Sequence, residues 1–365
     1  MVLDQLDAPV ILAPLGGGPS TPELAAAVSN AGGLAFLAAG YLSSSQVAER
    51  VKTTRTLTDR PIGVNVFVPG SGPAEPAAYA GFVRRLERWR PHGPAATEQA
   101  PLGEARYSDD DWEAKIALLR QESLPVVSFT FGCPDREVMD GLRSAGSEVW
   151  ITVTSPEEAD EAEQAGVDVL VVQGAEAGGH RASFSDRGDI PLYGLLPLLS
   201  LVQERSSRPL VASGGIATGR ALAAVLCAGA GAAQIGTAFM LSPEAGTAQA
   251  HRVALRSERQ TALTRAFTGR LARGIRNRFL DEHSAQAPIA YPELHYVTAP
   301  LRQRARDRGD AELVNLWAGE AHALAREVPA GEIVRGLVAE AETALREAEA
   351  RLSTQGDAFK PGFEG

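Results

Sequence analysis

Residues 209–219 read PLVASGGIATG, and residues 232–237 read AAQIGT. Each begins as a short apolar run and ends on glycine and small polar side chains. A segment with helical spacing, 218–229, joins them. Working outward, the same unit recurs: strand-length apolar runs at 8–15, 33–39, 62–68, 126–132, 148–153 and 167–173 precede the two quoted ones. Helical segments are expected between them at 21–31, 44–56, 134–145, 156–165 and 191–205. Thr21 before Pro22, Ser155 before Pro156, and Thr218 supply helix caps. The runs are continuously apolar rather than alternating, as in strands of a parallel sheet buried on both faces. Eight such units, with glycine at the ends of the last two, favour an α/β fold of the (β/α)8 barrel (TIM barrel) type over a doubly wound open sheet.

Two segments interrupt the repeat. Residues 69–122 are rich in proline, alanine and charge, with helical pieces near 76–90 and 108–122, and form an excursion beside the barrel mouth. Residues 243–365 are mostly helical and end in an amphipathic stretch at 330–352. The expected organisation is therefore a barrel over 1–242, with the excursion inserted, and a small helical C-terminal domain over 243–365 that covers the mouth.

The 365 residues carry 35 basic and 45 acidic side chains, a net charge of −10. Nucleic-acid binding needs a basic excess, and there is none overall. One local exception is 264–279, with Arg265, Arg270, Arg273, Arg276 and Arg278 and no acid. It reads either as a solvated helix face or as a patch for an anionic ligand. Cys133 and Cys227 lie too far apart for a zinc motif, and two cysteines make no disulfide framework, which fits a reducing cytoplasm. The N-terminus has no basic signal-peptide region. The apolar stretch 221–241 is broken by Gly229, Gly231 and Gly236, so it reads as helix, turn and strand rather than a membrane span. No metal-ligand spacing is present. Cys133, at a strand end, reads as a small buried residue rather than a reactive thiol.

In a barrel, polar residues at the C-terminal strand ends are the ones to weigh. Alternation in 62–68 places Gly63, Asn65 and Phe67 inward, and a buried amide such as Asn65 must find partners. Gln173 ends the sixth strand and leads into Gly174–Arg181 (GAEAGGHR), where Gly178 and Gly179 let backbone approach a flat ligand. His180 is the one histidine set in a glycine-rich loop at a strand end, the position of a general acid or base. Gly214 and Gly215, with the helix opened by Thr218, and Gln234, Gly236 and Thr237 form a phosphate site from backbone amides. No Rossmann fingerprint or P-loop competes with it.

The stretches at 21–33 (TPELAAAVSNAGG), 63–69 (GVNVFVP), 128–134 (SFTFGCP), 172–181 (VQGAEAGGHR), 214–219 (GGIATG) and 316–319 (LWAG), in this order, resemble the nitronate monooxygenases, formerly 2-nitropropane dioxygenases. The resemblance implies an FMN-dependent barrel that oxidises alkyl nitronates, and by extension nitroalkanes, with O2 to carbonyl compounds and nitrite, a detoxifying reaction. Carried over by motif, Asn65, Gln173, Gly178, Gly215, Gln234, Gly236 and Thr237 would hold FMN, and His180 would be the catalytic residue. The chain departs from the family pattern at Leu15-Gly16 and at Phe267–Leu271. An NAD(P)H-dependent flavin reductase of the enoyl-acyl-carrier-protein or quinone type shares much of this signature and is the alternative. The expected partners are a small-molecule substrate and O2, with no nucleic acid and no membrane, and a homodimer is left open.

Overall fold

The computed structural model describes residues 1–90, 101–186 and 188–356. Residues 91–100 of the excursion, with Pro91 and Pro94, and 357–365 of the C-terminal region lie outside the described residues. Eight parallel strands close into a barrel: β1 (Val10–Leu12), β2 (Leu34–Ala38), β3 (Ile62–Phe67), β4 (Val126–Thr130), β5 (Glu148–Val153) and β6 (Val169–Gln173), then, beyond a short strand β7 (Gly179–His180) outside the barrel, β8 (Leu210–Ser213) and β9 (Ala232–Ile235). β9 pairs back onto β1, with Ile11 opposite Gln234. This is the (β/α)8 architecture. Each expected strand is present, trimmed by a residue or more at the ends in most cases.

The helices that cover it are α1 (Pro22–Asn30), α2 (Ser44–Leu57), α3 (Pro76–Arg88), α4 (Trp112–Glu122), α5 (Arg136–Ser144), α6 (Pro156–Ala165), α7 (Leu195–Gln203) and α8 (Gly219–Cys227). Their starts follow the sequence. Thr21 Oγ1 accepts from the Leu24 amide, and Ser155 and Thr218 cap α6 and α8 in the same way. Burying a leucine or valine face on the barrel stabilises each helix by about 1.5–3 kcal/mol per large side chain.

Inward-facing side chains change character along the barrel. At the N-terminal end Ile11, Phe36, Val126, Trp150, Val169 and Val211 fill the interior, and Val2 joins them from the N-terminal segment. Gly63 is glycine because a Cβ there would meet the Phe36 ring at 2.5 Å. One layer up, the register aligns Asn65 with Ser128 and Gln173 with Ser213 and Gln234. The apolar plug therefore gives way to amides and hydroxyls at the end where a barrel carries its site.

After β9 come α9 (Gln249–Leu255), β10 (Thr261–Thr264), β11 (Ala272–Ile275), α10 (Arg278–His283), α11 (Glu293–Arg308) and α12 (Ala330–Gly356). Two observations refine the expected layout. First, the arginine run is not a helix face. It builds a sheet in the order β10–β11–β7, in which His180 sits opposite Ala272 and Gly179 opposite Arg273. Secondly, not all of 243–365 covers the mouth. α12 packs on α8 and α1 and buries Ile333, Val334, Leu337 and Ala341 in the barrel's outer core, the place of an eighth barrel helix. The approach is close, because a Cβ on Gly219 would meet Leu337 O at 2.5 Å. What remains, together with α3 of the excursion, shares a second apolar core that includes Phe82, Leu86, Phe267, Phe279, Leu294 and Leu316.

Candidate active site

A cavity of about 530 Å3 lies between the C-terminal strand ends and this second core, within the usual range for ligand pockets. Asn65, Gln173, Gly178, His180, Gly214, Gly215, Gln234, Gly236 and Thr237 all line it. The structure thus brings together every site residue selected from the sequence, although their local roles differ from one another.

Gly214 and Gly215 have φ of +118° and +68°, conformations open to glycine at little cost. Among the described residues, the amides of Gly214, Gly215, Ile216, Gly236 and Thr237 donate to no protein acceptor, and all five residues line the cavity. Unspent amides at the ends of adjacent strands make a concavity of the kind suited to an anion. The helix end expected to join them does not. In α8 the Ala221 amide donates to Thr218 Oγ1 (3.2 Å), and the Gly219 amide donates to Glu340 Oε2 of α12 (3.0 Å). A single 3-10 turn, Thr237–Phe239, follows Gly236.

Asn65 is 2% exposed, and its Nδ2 donates to Ser128 Oγ (2.9 Å) and Thr130 Oγ1 (3.0 Å) on β4. Gln173 serves the loop that follows it: Nε2 donates to His180 O (3.2 Å), and Oε1 accepts from the Ala182 amide (2.9 Å). Gly178 is required for protein packing, since a Cβ there would lie 2.4 Å from Ala318 C and 2.5 Å from Gly319 N. The LWAG segment is therefore a strap across the loop. It is held by Gly319 N donating to Thr237 Oγ1 (3.0 Å) and by His251 Nε2 at Trp317 O (3.0 Å).

His180 faces the cavity between the rings of Phe131, Tyr291 and Trp317, at centroid distances of 5.9, 5.6 and 5.6 Å. Its Nε2 lies 2.9 Å from Thr268 Oγ1. Burial, then the positive charges of Arg270 and Arg302, push the imidazole down to about 3, so it is uncharged at neutral pH. His295 is held well below its ordinary value, by burial and then Arg302. Cys133 is inert as a base or nucleophile, because burial pushes its thiol up to about 12.

Sequence reasoning missed one wall. His295, Ala299, Arg302 and Arg306 of α11 all line the cavity. Their spacing of four, three and four places them on one helical face. Arg302 is 5% exposed, and its hydrogen bonds run to Thr298 Oγ1 (3.0 Å) and His295 O (2.7 Å) rather than to a carboxylate. No acidic residue lines the cavity among the described residues. Tyr41 completes this wall, stacked on His295 at 4.0 Å and bonded to Tyr291 through the two hydroxyls (3.1 Å).

A closed barrel with a cation-flanked cavity at its C-terminal strand ends is the arrangement of barrel enzymes. The family model of nitronate monooxygenase matches residues 3–340, and the chain belongs to that family of oxidoreductases. A nitronate monooxygenase of Pseudomonas aeruginosa is 41% identical over 342 residues, covering 91% of this chain and 95% of the relative. The crystal structure of a nitroalkane oxidase from Streptomyces ansochromogenes superposes with a TM-score of 0.90 at 46% identity, covering 95% of this chain and all of that one. FabK from Thermotoga maritima covers 96% of this chain and 97% of its own at a TM-score of 0.74 and 24% identity, a likeness of fold. Among the described residues no helix is long and apolar enough to cross a membrane.

Proposed function

We propose that this protein holds FMN in the barrel mouth and oxidises alkyl nitronates with O2 to carbonyl compounds and nitrite. The observation that carries the reading is one cavity lined by five unspent amides and by an uncharged histidine flanked by buried arginines. The amides of Gly214–Ile216 and Gly236–Thr237 would hold the phosphate, and Asn65, Gln173 and Gln234, one layer of the barrel interior, would meet the ring edge. Bound there, FMN would supply the electron transfer between substrate and O2.

The protein's own part is positioning and charge. Arg302 and Arg306 line the cavity without a buried acid to neutralise them, so an arriving anion gains their attraction at low local dielectric. His180 presents a neutral ring, which can hold or accept a proton but contributes no charge. The site thus favours a nitronate, already an anion, over a neutral nitroalkane, whose proton a weakly basic ring must remove.

The direct check is a steady-state assay with an alkyl nitronate, following oxygen uptake, nitrite and carbonyl product. Nitrite formation with no requirement for NADH or NADPH is expected. Turnover that appears only when NAD(P)H is added would point instead to a reductase on the same barrel.

A further inference from the structure

We propose that Arg270 is the positioning residue of this site, holding the backbone, the aromatic neighbour and the ring tautomer of His180 together. The inference rests on the reading above, in which His180 works beside the cofactor. Three independent contacts carry it.

The guanidinium Nε donates to Arg181 O (3.3 Å), and Nη2 donates to Ser183 O. Both carbonyls belong to the chain that leaves His180, so the fork pins that turn against β11. The same guanidinium lies over the ring of Phe131, with Cζ 3.7 Å from its centroid, and Phe131 meets His180 edge-on at 87°. Phe131 holds a φ of +80°, a strained conformation for a residue with a Cβ, at the end of β4. Finally, the Arg270 peptide brackets Thr268 Oγ1: its N donates to that oxygen (3.4 Å), and its O accepts from it (3.3 Å). With the Thr268 hydrogen assigned to Arg270 O and one lone pair taken by Arg270 N–H, Oγ1 then accepts from His180 Nε2. Thr268 is 1% exposed. On that assignment Nε2 carries the proton, and Nδ1 is the atom left to accept one.

A stabilising role alone fits poorly. Arg270 is 7% exposed, and its side chain bonds to carbonyls. Asp186, the acid whose charge it feels most, is engaged by Arg265 (2.7 Å) and by the Leu271 amide (3.3 Å). An apolar side chain of similar volume would cost less to bury. The groups that face His180 are Arg270 from the 264–271 loop, Tyr291 from the turn before α11, and His295 and Arg302 from α11. Phe131 and Trp317 add uncharged rings.

The test is 15N spectroscopy of the histidine rings in the parent, Arg270→Met and Arg270→Lys proteins, with His180 assigned by its loss in His180→Asn, alongside kcat and KM on a nitronate. The parent is expected to show His180 as a single Nε2–H tautomer that does not titrate through the neutral range. Arg270→Met keeps the backbone bracket on Thr268 but frees the Arg181 and Ser183 carbonyls and the Phe131 ring. His180 is therefore expected to slip from Thr268, with mixed tautomers, an upward move of the titration midpoint by about one pH unit and a roughly 100-fold loss in kcat. KM for the nitronate should change by no more than about threefold, since Arg302 and Arg306 stay in place along the cavity wall. Arg270→Lys keeps the charge but not the fork, so its midpoint should stay low while its tautomers mix and its kcat falls. If Arg270→Met fails to fold, the tautomer state of Arg270→Lys decides the matter. A single Nε2–H tautomer in the variants, with the midpoint unmoved, would overturn the proposal whatever the turnover. Absence of nitronate turnover in the parent would instead remove the functional reading, and the spectra would still judge Arg270.

Discussion

His180→Asn is expected to keep its flavin and to lose roughly 10²–10⁴-fold in kcat/KM on a neutral nitroalkane, but only about tenfold on the matching nitronate. The difference follows from the ring's environment. A neutral nitroalkane must give up a carbon-bound proton, and in the proposed reading Nδ1 of His180 is the base that takes it. A nitronate has already lost that proton, so the substitution removes only a hydrogen-bond partner while Arg302 and Arg306 continue to attract the anion. The pH dependence carries the same signature. Burial and the two arginines lower the imidazole to about 3. Protonation of the free enzyme at His180 therefore begins far below the value of an ordinary histidine, about 6.5, and the nitroalkane rate should show no break there. The linked stability effect has the opposite reach: the unfolded chain takes up this proton near its ordinary value, so acidification below that point favours unfolding. Rates on both substrates and a pH profile of the parent check the prediction. Equal losses on nitroalkane and nitronate would take the base role away from His180.

Gly214→Ala should release the flavin. A Cβ at φ +118° is strained by about 1–3 kcal/mol, and it would lie 3.1 Å from the Ala177 amide nitrogen and 3.3 Å from Gly174 O. Both neighbours are backbone of the loop that leads to His180, so neither can move aside cheaply. Relief comes by turning the peptide, which takes the Gly214 and Gly215 amides out of the cradle. Each tenfold of affinity is about 1.4 kcal/mol, so a rise in the FMN dissociation constant of roughly 10- to 100-fold is expected in fluorescence titration of the apoprotein. Gly16→Ala is the matched control. Gly16 lines the same cavity, but a Cβ there meets nothing within 4 Å, so its affinity should stay near that of the parent.

The barrel was legible because its strands are buried on both faces, which writes them as continuous apolar runs such as IGVNVF in β3 and VLVVQ in β6. The polar layer was legible for the same reason: Asn65 and Gln173 stand out where every neighbour is apolar. The sheet that carries His180 was not. β7 is two residues long, and its partner β11 lies some 90 residues later in a run whose five arginines resemble a solvated face. Only the burial of Ala272–Ile275, all four residues, distinguishes it. α12 showed its apolar stripe plainly, yet its partners α8 and α1 precede it by more than 100 residues, and periodicity does not name a partner. The stripe of His295, Arg302 and Arg306 was likewise present as spacing, but nothing local in the sequence says that this face of α11 looks into the barrel.

The central claim is that this cavity binds FMN and that a nitronate alone reduces it. Anaerobic mixing of the purified yellow protein with an alkyl nitronate, and separately with NADH and NADPH, tests it in one spectrum. Rapid bleaching of the flavin by the nitronate, with no comparable bleaching by either nucleotide, is the predicted result. Bleaching by NADH or NADPH with none from the nitronate, or a protein that binds no flavin, would contradict it.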